Sequence, residues 1–185
     1  MRRAAAVNAV PSRPNGEPDS RQVLTFVLGS ETYGVDILRV QEIRGWSAVT
    51  TIPNAPPHVL GVLNLRGSIV PIVDLRKRFS LQRAEYTELT VIIVLSVNGP
   101  AGRRDFGIVV DGVSEVVSLQ SDALKPTPDL GCRAATEHIL GLASIAERMV
   151  VLLDIDRLIG SQLSEGIAGP PGAPAGAAAT PPGRP

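Results

Sequence analysis

The sequence predicts a mostly β, internally duplicated protein: two small β-barrels of about five strands each, with short helices behind some strands. Two observations carry that expectation. Short β-branched runs stand between turn residues, and blocks of mixed apolar, glycine and acidic positions recur further along the chain in the same register.

The runs, in order, are 23–29, 32–38, 59–65, 68–75, 90–97, 105–113, 115–119 and 149–155, each rich in Val, Ile and Leu as strands require. Gly, Asn, Asp and Pro stand between them, which is turn chemistry. Asp111-Gly112 reads as a strand-to-strand turn. Short helices are expected at 76–79 and 156–163, where Asp74 and Asp154 can cap the first turn by accepting a backbone N–H. Residues 121–137 contain two prolines and no clean period, so they read as loop with at most one helical turn. Residues 1–20 and 161–185 have little to bury, the second being rich in Pro, Ala and Gly, and are expected to be disordered arms around a folded body at 21–160.

The recurrence is specific. His58-Val59-Leu60-Gly61-Val62-Leu63 returns eighty residues later as His138-Ile139-Leu140-Gly141-Leu142-Ala143, and the register holds through Asp74 on Asp154 and Leu75 on Ile155. At an offset of seventy-three, Tyr33 falls on Phe106, Gly34 on Gly107, Val40 on Val113 and Glu42 on Glu115. Chance can match Val with Ile, but it does poorly on Gly, Asp, Glu and His all in register. Two similar barrels, each closing its sheet to remove exposed edges, are what such a duplication predicts. The halves differ at one turn: Asn64-Leu65-Arg66-Gly67 in the first is Ser144-Ile145-Ala146-Glu147 in the second. A repeated scaffold with one altered turn points to a task belonging to one half.

Composition excludes several function classes. The 185 residues carry 18 acidic and 18 basic side chains for zero net charge, without the surplus of Lys and Arg that phosphate binding needs. No apolar stretch approaches the roughly 18 residues of a membrane helix, and the N-terminal run is too short for a signal peptide, so a cytoplasmic protein is expected. The single cysteine, Cys132, excludes an internal disulfide and has no evident activator beyond Arg133. His58 and His138, the only histidines, sit at equivalent positions of the repeat, and two imidazoles without a clear third ligand make a thin metal site. Phosphate-binding glycine loops and a nucleophile elbow are absent. No catalytic site and no cofactor are expected.

The polar residues that stand out would shape a surface. Glu42 lies among apolar neighbours and Arg66 at a turn between two apolar strands. If they meet, the guanidinium can hold the carboxylate through two parallel hydrogen bonds and fix how the turn projects. Gly67 gives that turn positive φ, and Asn64 can bond its own backbone. Val40, Ile43 and Trp46 surround Glu42, either as core or as the floor of a groove that accepts a partner helix.

With these blocks assembled, the sequence resembles the CheW-like family of chemotaxis coupling proteins. The resemblance rests on 33–45, 61–79 with its NLRG and PIVDLR blocks, 106–119 and 147–159, and it runs across 21–160. It implies two intertwined SH3-like barrels and a non-enzymatic adaptor linking methyl-accepting chemoreceptors to the histidine kinase CheA. By position, the resemblance assigns Val40, Glu42, Gly61, Asn64, Arg66 and Gly67 to receptor or kinase coupling. It implies that the receptor's hairpin tip enters a groove between barrels, and that the kinase's CheW-like regulatory domain meets the barrel ends. The protein would be recruited to membrane-associated arrays without entering the membrane. Three features depart from a compact member: the basic 98–105 loop, the 56–60 stretch that sets the His58 imidazole beside the expected binding edge, and the Pro/Ala/Gly-rich tail. Two alternatives remain: an adaptor of a parallel chemosensory pathway, and a small-ligand-binding β-barrel.

Overall fold

The computed structural model describes residues 20–81, 85–99, 102–127 and 137–164, without the side chains of 161–164. Residues 1–19 and 165–185 of the terminal arms, the tip of the 98–105 loop and Cys132 lie outside these residues, whereas Ser20 begins the first strand and 161–164 continue the last helix.

Among the described residues eleven strands form two sheets. In chain order they are β1 (Ser20–Leu28), β2 (Glu31–Asp36), β3 (Val40–Gly45), β4 (Val59–Leu65), β5 (Ser68–Asp74), β6 (Val91–Gly99), β7 (Gly102–Val110), β8 (Gly112–Gln120), β9 (Leu124–Lys125), β10 (Ile139–Ile145) and β11 (Arg148–Leu153). Helix α1 (Leu75–Arg78) follows β5, and α2 (Ile155–Ser164) follows β11. One sheet runs β8-β1-β2-β11-β10-β9 and the other β3-β6-β7-β5-β4.

The two orders are the same order. Exchanging each strand for its repeat equivalent (β5 for β11, β4 for β10, β7 for β2, β8 for β3, with β6 against β1) turns one sheet into the other. The register repeats too: Ile72 pairs with Gly107 in the parallel β5–β7 ladder, as Leu152 pairs with Gly34 in the parallel β11–β2 ladder. Both hairpins, β4–β5 and β10–β11, shift register at the duplicated glycine, Gly61 or Gly141. Each sheet therefore takes strands from both halves of the sequence. The five-stranded sheet is one continuous stretch, β3 to β7, and the other is assembled from what precedes and follows it.

Burial explains why the strands read as continuous apolar runs rather than alternating ones. Ile93, Leu95 and Val97 of β6 face a core shared between the sheets, with Leu24, Phe26 and Leu28 of β1 and Leu158 and Ile159 of α2. The opposite face of β6, at Ile92 and Val94, packs into a second cluster with Val70, Ile72 and Val109. A third cluster, Val23, Leu119, Ala143, Val150 and Leu152, fills the matching place in the other sheet. A strand buried on both faces has no solvent side to mark its period.

Phe79, at the end of α1, joins the sheets. Its ring stacks on Tyr33 at 5.6 Å, Tyr33 stacks on its cross-strand partner Phe26 at 6.1 Å, and His138 covers the other side of Phe79 at 5.6 Å. Burial, and then Arg78, push the His138 imidazole below its ordinary value, against an opposing pull from Glu137. The folded chain thus holds that proton less firmly than the unfolded chain. The stability tied to His138 is complete above the unfolded value of about 6.5 and is lost as pH falls through and below it. The His138→Phe variant keeps a stacked ring, so its melting temperature should depend less on pH between about 7 and 5 than the wild-type value does. Parallel pH profiles for the two proteins would remove His138 as the cause.

Several sequence expectations need correction. The run 105–113 is not one strand: it breaks at Asp111, which carries the chain from β7 in one sheet to β8 in the other rather than turning a hairpin. The run 32–38 stops at Asp36, whose side chain caps a 3-10 turn at Ile37–Arg39 by accepting from the Leu38 N–H at 2.9 Å. Residues 40–45, not expected as a strand, form edge strand β3 against β6. Within 121–137 there is a 3-10 turn at Ser121–Ala123 and the two-residue strand β9, which makes that sheet six-stranded instead of five. The helix caps hold: Asp74 accepts from the Arg76 N–H and Asp154 from the Arg157 N–H, each at 3.0 Å.

Candidate functional site

The residues singled out from the sequence gather where the two edges of the five-stranded sheet approach each other. β3 and β4 are its outermost strands, yet the chain leaving β3 returns to β4: Thr50 and Val62 exchange backbone hydrogen bonds, both 2.9 Å. Gly61 permits this crossing. It sits at φ +145, and a Cβ there would collide with the Thr50 carbonyl. A side chain at that position would be both strained and sterically blocked.

Beyond Gly61 the β4–β5 hairpin turns through Arg66 and Gly67, at φ 53 and φ 88. Positive φ at both central residues suits the twist of a two-residue hairpin, and it is an uncommon conformation for arginine. Asn64 stabilises the turn by accepting from the Gly67 N–H at 2.9 Å. The second half uses the same geometry without a glycine, at Ala146 and Glu147, φ 45 and φ 65.

Arg66 and Glu42 do meet, with Nη2 3.6 Å from Oε2, but the contact is not the buried two-bond clasp the sequence allowed for. The Arg66 side chain is 89% exposed and that of Glu42 34%. In water such a pair contributes at most about 1 kcal/mol. Glu42 stands at a β-bulge, where the β3–β6 register shifts between Val40 and Glu42. Its repeat equivalent Glu115 lies at the matching bulge of β8 against β1, where buried Thr25 bonds the Glu115 backbone through its hydroxyl. Bulges re-aim side chains, which accounts for an outward carboxylate at the same place in both halves.

The apolar series around Glu42 divides. Val40 packs against the shared core, Trp46 packs against the second cluster, and Ile43 is exposed. Trp46 is held by a stack on Tyr86, centroids 4.3 Å apart, and by its backbone N–H, which donates to the Thr90 carbonyl at 3.0 Å. The exposed elements are therefore Ile43, Asn64, Arg66 and Gly67, on a frame whose inner members are Val40, Gly61 and Trp46.

Behind that frame lies a buried polar network that sequence reasoning missed. Arg76 and Asp74, both fully buried, share two hydrogen bonds, Nε to Oδ1 at 3.0 Å and Nη2 to Oδ2 at 2.9 Å. Arg76 Nη1 also donates to Asp111 at 2.9 Å and to the Glu85 carbonyl at 2.6 Å, and the Tyr86 hydroxyl donates to Asp74 at 3.0 Å. Burial opposes the Arg76 charge, but its bonds to Asp74 and Asp111 outweigh burial and raise its pKa. Burial and then the Asp74 carboxylate push the Tyr86 hydroxyl up to about 12. The one local signal in the sequence is Asp74 two residues before Arg76; Tyr86 and Asp111 lie too far along the chain to be read with them.

Among the described residues no cluster of three or more His, Cys, Asp or Glu side chains is placed to hold a metal. A cleft of about 200 Å³ opens beside Arg21, Asp36, Arg39, Asp154 and Asp156. It is smaller than a typical ligand pocket, and its charges are paired: Arg21 with Asp36, Arg39 with Asp156, and Asp154 with Arg157. No helix among the described residues is long and apolar enough to cross a membrane.

Comparison with known proteins agrees with the sequence pattern. The family model described as "CheW-like domain" matches residues 22–163. The chain is 49% identical over 154 residues to the chemotaxis protein CheW of Klebsiella aerogenes, covering 83% of this chain and 90% of that one. It is 37% identical over 158 residues to the chemotaxis protein CheW of Rhizobium meliloti, covering 85% and 97%. The crystal structure of scaffolding protein TtCheW from Thermoanaerobacter tengcongensis aligns with a TM-score of 0.68 at 28% identity, covering 75% of this chain and 92% of that one.

Proposed function

The chain belongs to the CheW-like family of non-enzymatic chemotaxis adaptors, and from that premise we propose that it couples the cytoplasmic tips of methyl-accepting chemoreceptors to the histidine kinase CheA. The observation that carries the reading to particular residues is the joined pair of sheet edges. Asn64, Arg66 and Gly67 form a turn whose backbone is fixed by the Gly61–Thr50 crossing and the Asn64 bond, and Glu42 meets it from the bulge of β3. A surface held this rigidly loses little conformational entropy when a partner docks. Val40 and Gly61 support that surface from beneath.

The proposed coupling unit is residues 21–160. We read each sheet as a small SH3-like barrel, closed at Thr50–Val62 in one and at β9–β10 in the other. The receptor tip is assigned to the groove between them, and the regulatory domain of the kinase to the barrel ends. Recruitment to membrane-associated arrays follows from receptor binding and needs no membrane insertion.

The test is sedimentation of receptor-containing membranes with CheA, with and without this protein. Kinase should appear in the pellet only when the adaptor is present. Absence of recruitment with receptors and kinase from the same genome would favour the parallel pathway. Arg66→Ala should melt within about 1 kcal/mol of wild type, since its ion pair is exposed, while adaptor-dependent recruitment falls several-fold. Normal recruitment by the variant would remove Arg66 from the coupling surface.

A further inference from the structure

Just before β6 the chain makes a tight turn that carries an exposed surface both aromatic and acidic. Buried Thr90 donates its N–H to the Thr87 carbonyl at 3.1 Å, and its hydroxyl accepts from the Thr87 N–H at 2.9 Å. The Thr87 hydroxyl accepts in turn from the Leu89 N–H at 3.2 Å. Tyr86, at the foot of this turn, is fixed from several directions. Trp46 stacks on it at 4.3 Å, the Arg76 guanidinium lies 4.7 Å from its ring centre, and its hydroxyl donates to Asp74. Even so, Tyr86 is 39% exposed, the one aromatic among the exposed large apolar side chains, and Leu89 is 75% exposed. Glu85 and Glu88 are exposed beside them, and neither belongs to an ion pair among the described residues. A platform fixed in this way loses little conformational freedom when something settles on it.

An occupant of matching chemistry is present in the same chain. Residues 165–185 contain six prolines and a single basic side chain, Arg184, set between Pro181-Pro182 and Pro185. Proline fixes φ, so a segment of this composition is biased toward the extended left-handed helix that aromatic surfaces recognise, and it needs no core of its own to dock. Its cation complements the two unpaired carboxylates, and its prolines complement the two rings. Length permits the approach. Helix α2 packs on the shared-core side of β6 and Trp46 on the opposite side, so the segment has to pass round a sheet edge. Seventeen positions separate Ser164, at the end of α2, from Pro181. At about 3.1 Å per residue that stretch spans roughly 50 Å, against a width of roughly 35 Å for a body of this size. A tethered segment also works at an effective concentration on the order of millimolar, so weak recognition is enough to keep the platform covered.

We propose that residues 181–185 dock on the Trp46–Tyr86 platform of their own chain, with the prolines against the rings and Arg184 facing Glu85 and Glu88. Trp46 belongs to the frame of the coupling surface, so the docked segment competes with a partner there. That consequence rests on the proposed function; the docking itself does not, and its test uses neither receptor nor kinase. Trp46 is the only tryptophan, so its fluorescence in the whole chain reports on the contact directly. Acrylamide quenching of Trp46 should rise about twofold in the Pro181→Ser/Pro182→Ser/Arg184→Glu variant, in which no described residue is changed. Glu85→Lys/Glu88→Lys should give the same rise, and adding Arg184→Glu to it should restore the wild-type protection, because the charges are then exchanged. The protection should also survive dilution, as contact within one chain does. Equal quenching of wild type and the triple variant would overturn the proposal, and so would a charge exchange that restores nothing. Protection lost on dilution would overturn docking within the chain and assign the platform to the same segment of a second copy.

Discussion

Replacing Arg76 with methionine should cost about 3–5 kcal/mol of unfolding free energy, a large share of the roughly 5–15 kcal/mol that holds a domain together. The reason is what the substitution leaves behind. Asp74 is fully buried and takes two hydrogen bonds from the Arg76 guanidinium, so without it a buried carboxyl group is left with only the Tyr86 hydroxyl and the backbone N–H of residue 76. Asp111 loses its partner at the same time, and the Glu85 carbonyl loses a donor. Urea denaturation measures the loss directly. Adding Asp74→Asn to the variant should recover part of it, because the stranded charge is gone while the helix cap can persist. A loss below about 1 kcal/mol for Arg76→Met would mean that the network contributes no more than an exposed pair.

Gly61→Ala should be the next most damaging change, at roughly 2–4 kcal/mol. Strain at positive φ contributes about 1–3 kcal/mol, and the two Thr50–Val62 hydrogen bonds add about 1 kcal/mol each if the crossing opens. The collision is with backbone, the Thr50 carbonyl, so no side-chain rotation relieves it. Hydrogen exchange should show the damage locally, with the Thr50 and Val62 amides losing protection before those of β6 and β7. If the proposed coupling surface is right, kinase recruitment should fall more than stability alone explains. Unchanged protection at Thr50 and Val62 would show that the edge strands stay joined without the glycine.

The coupling turn was legible in the sequence because its signals are local. Gly67 and Asn64 state the turn by their own backbone preferences, and Asp74 and Asp154 state their caps within three residues. The Glu42–Arg66 contact was legible as a possibility, but its exposure was not. That depends on how far β3 and the β4–β5 hairpin stand from the core, which spacing does not encode. β3 escaped notice because its partner β6 lies some fifty residues away and its own burial is only partial. The Arg76 network escaped because its members come from separate places along the chain: Asp74 from the end of β5, Arg76 from α1, Tyr86 from the segment before β6 and Asp111 from the crossover after β7.

By itself the sequence determined the class of the fold, the duplication and the family pattern, since these rest on residue types at fixed spacing. Tertiary structure alone decided which strand joins which sheet. β2 and β7 share their aromatic and glycine positions, so strand propensity alone does not say which of them β5 will pair with. That choice depends on packing between residues far apart in the chain, which exists only once the sheets have formed.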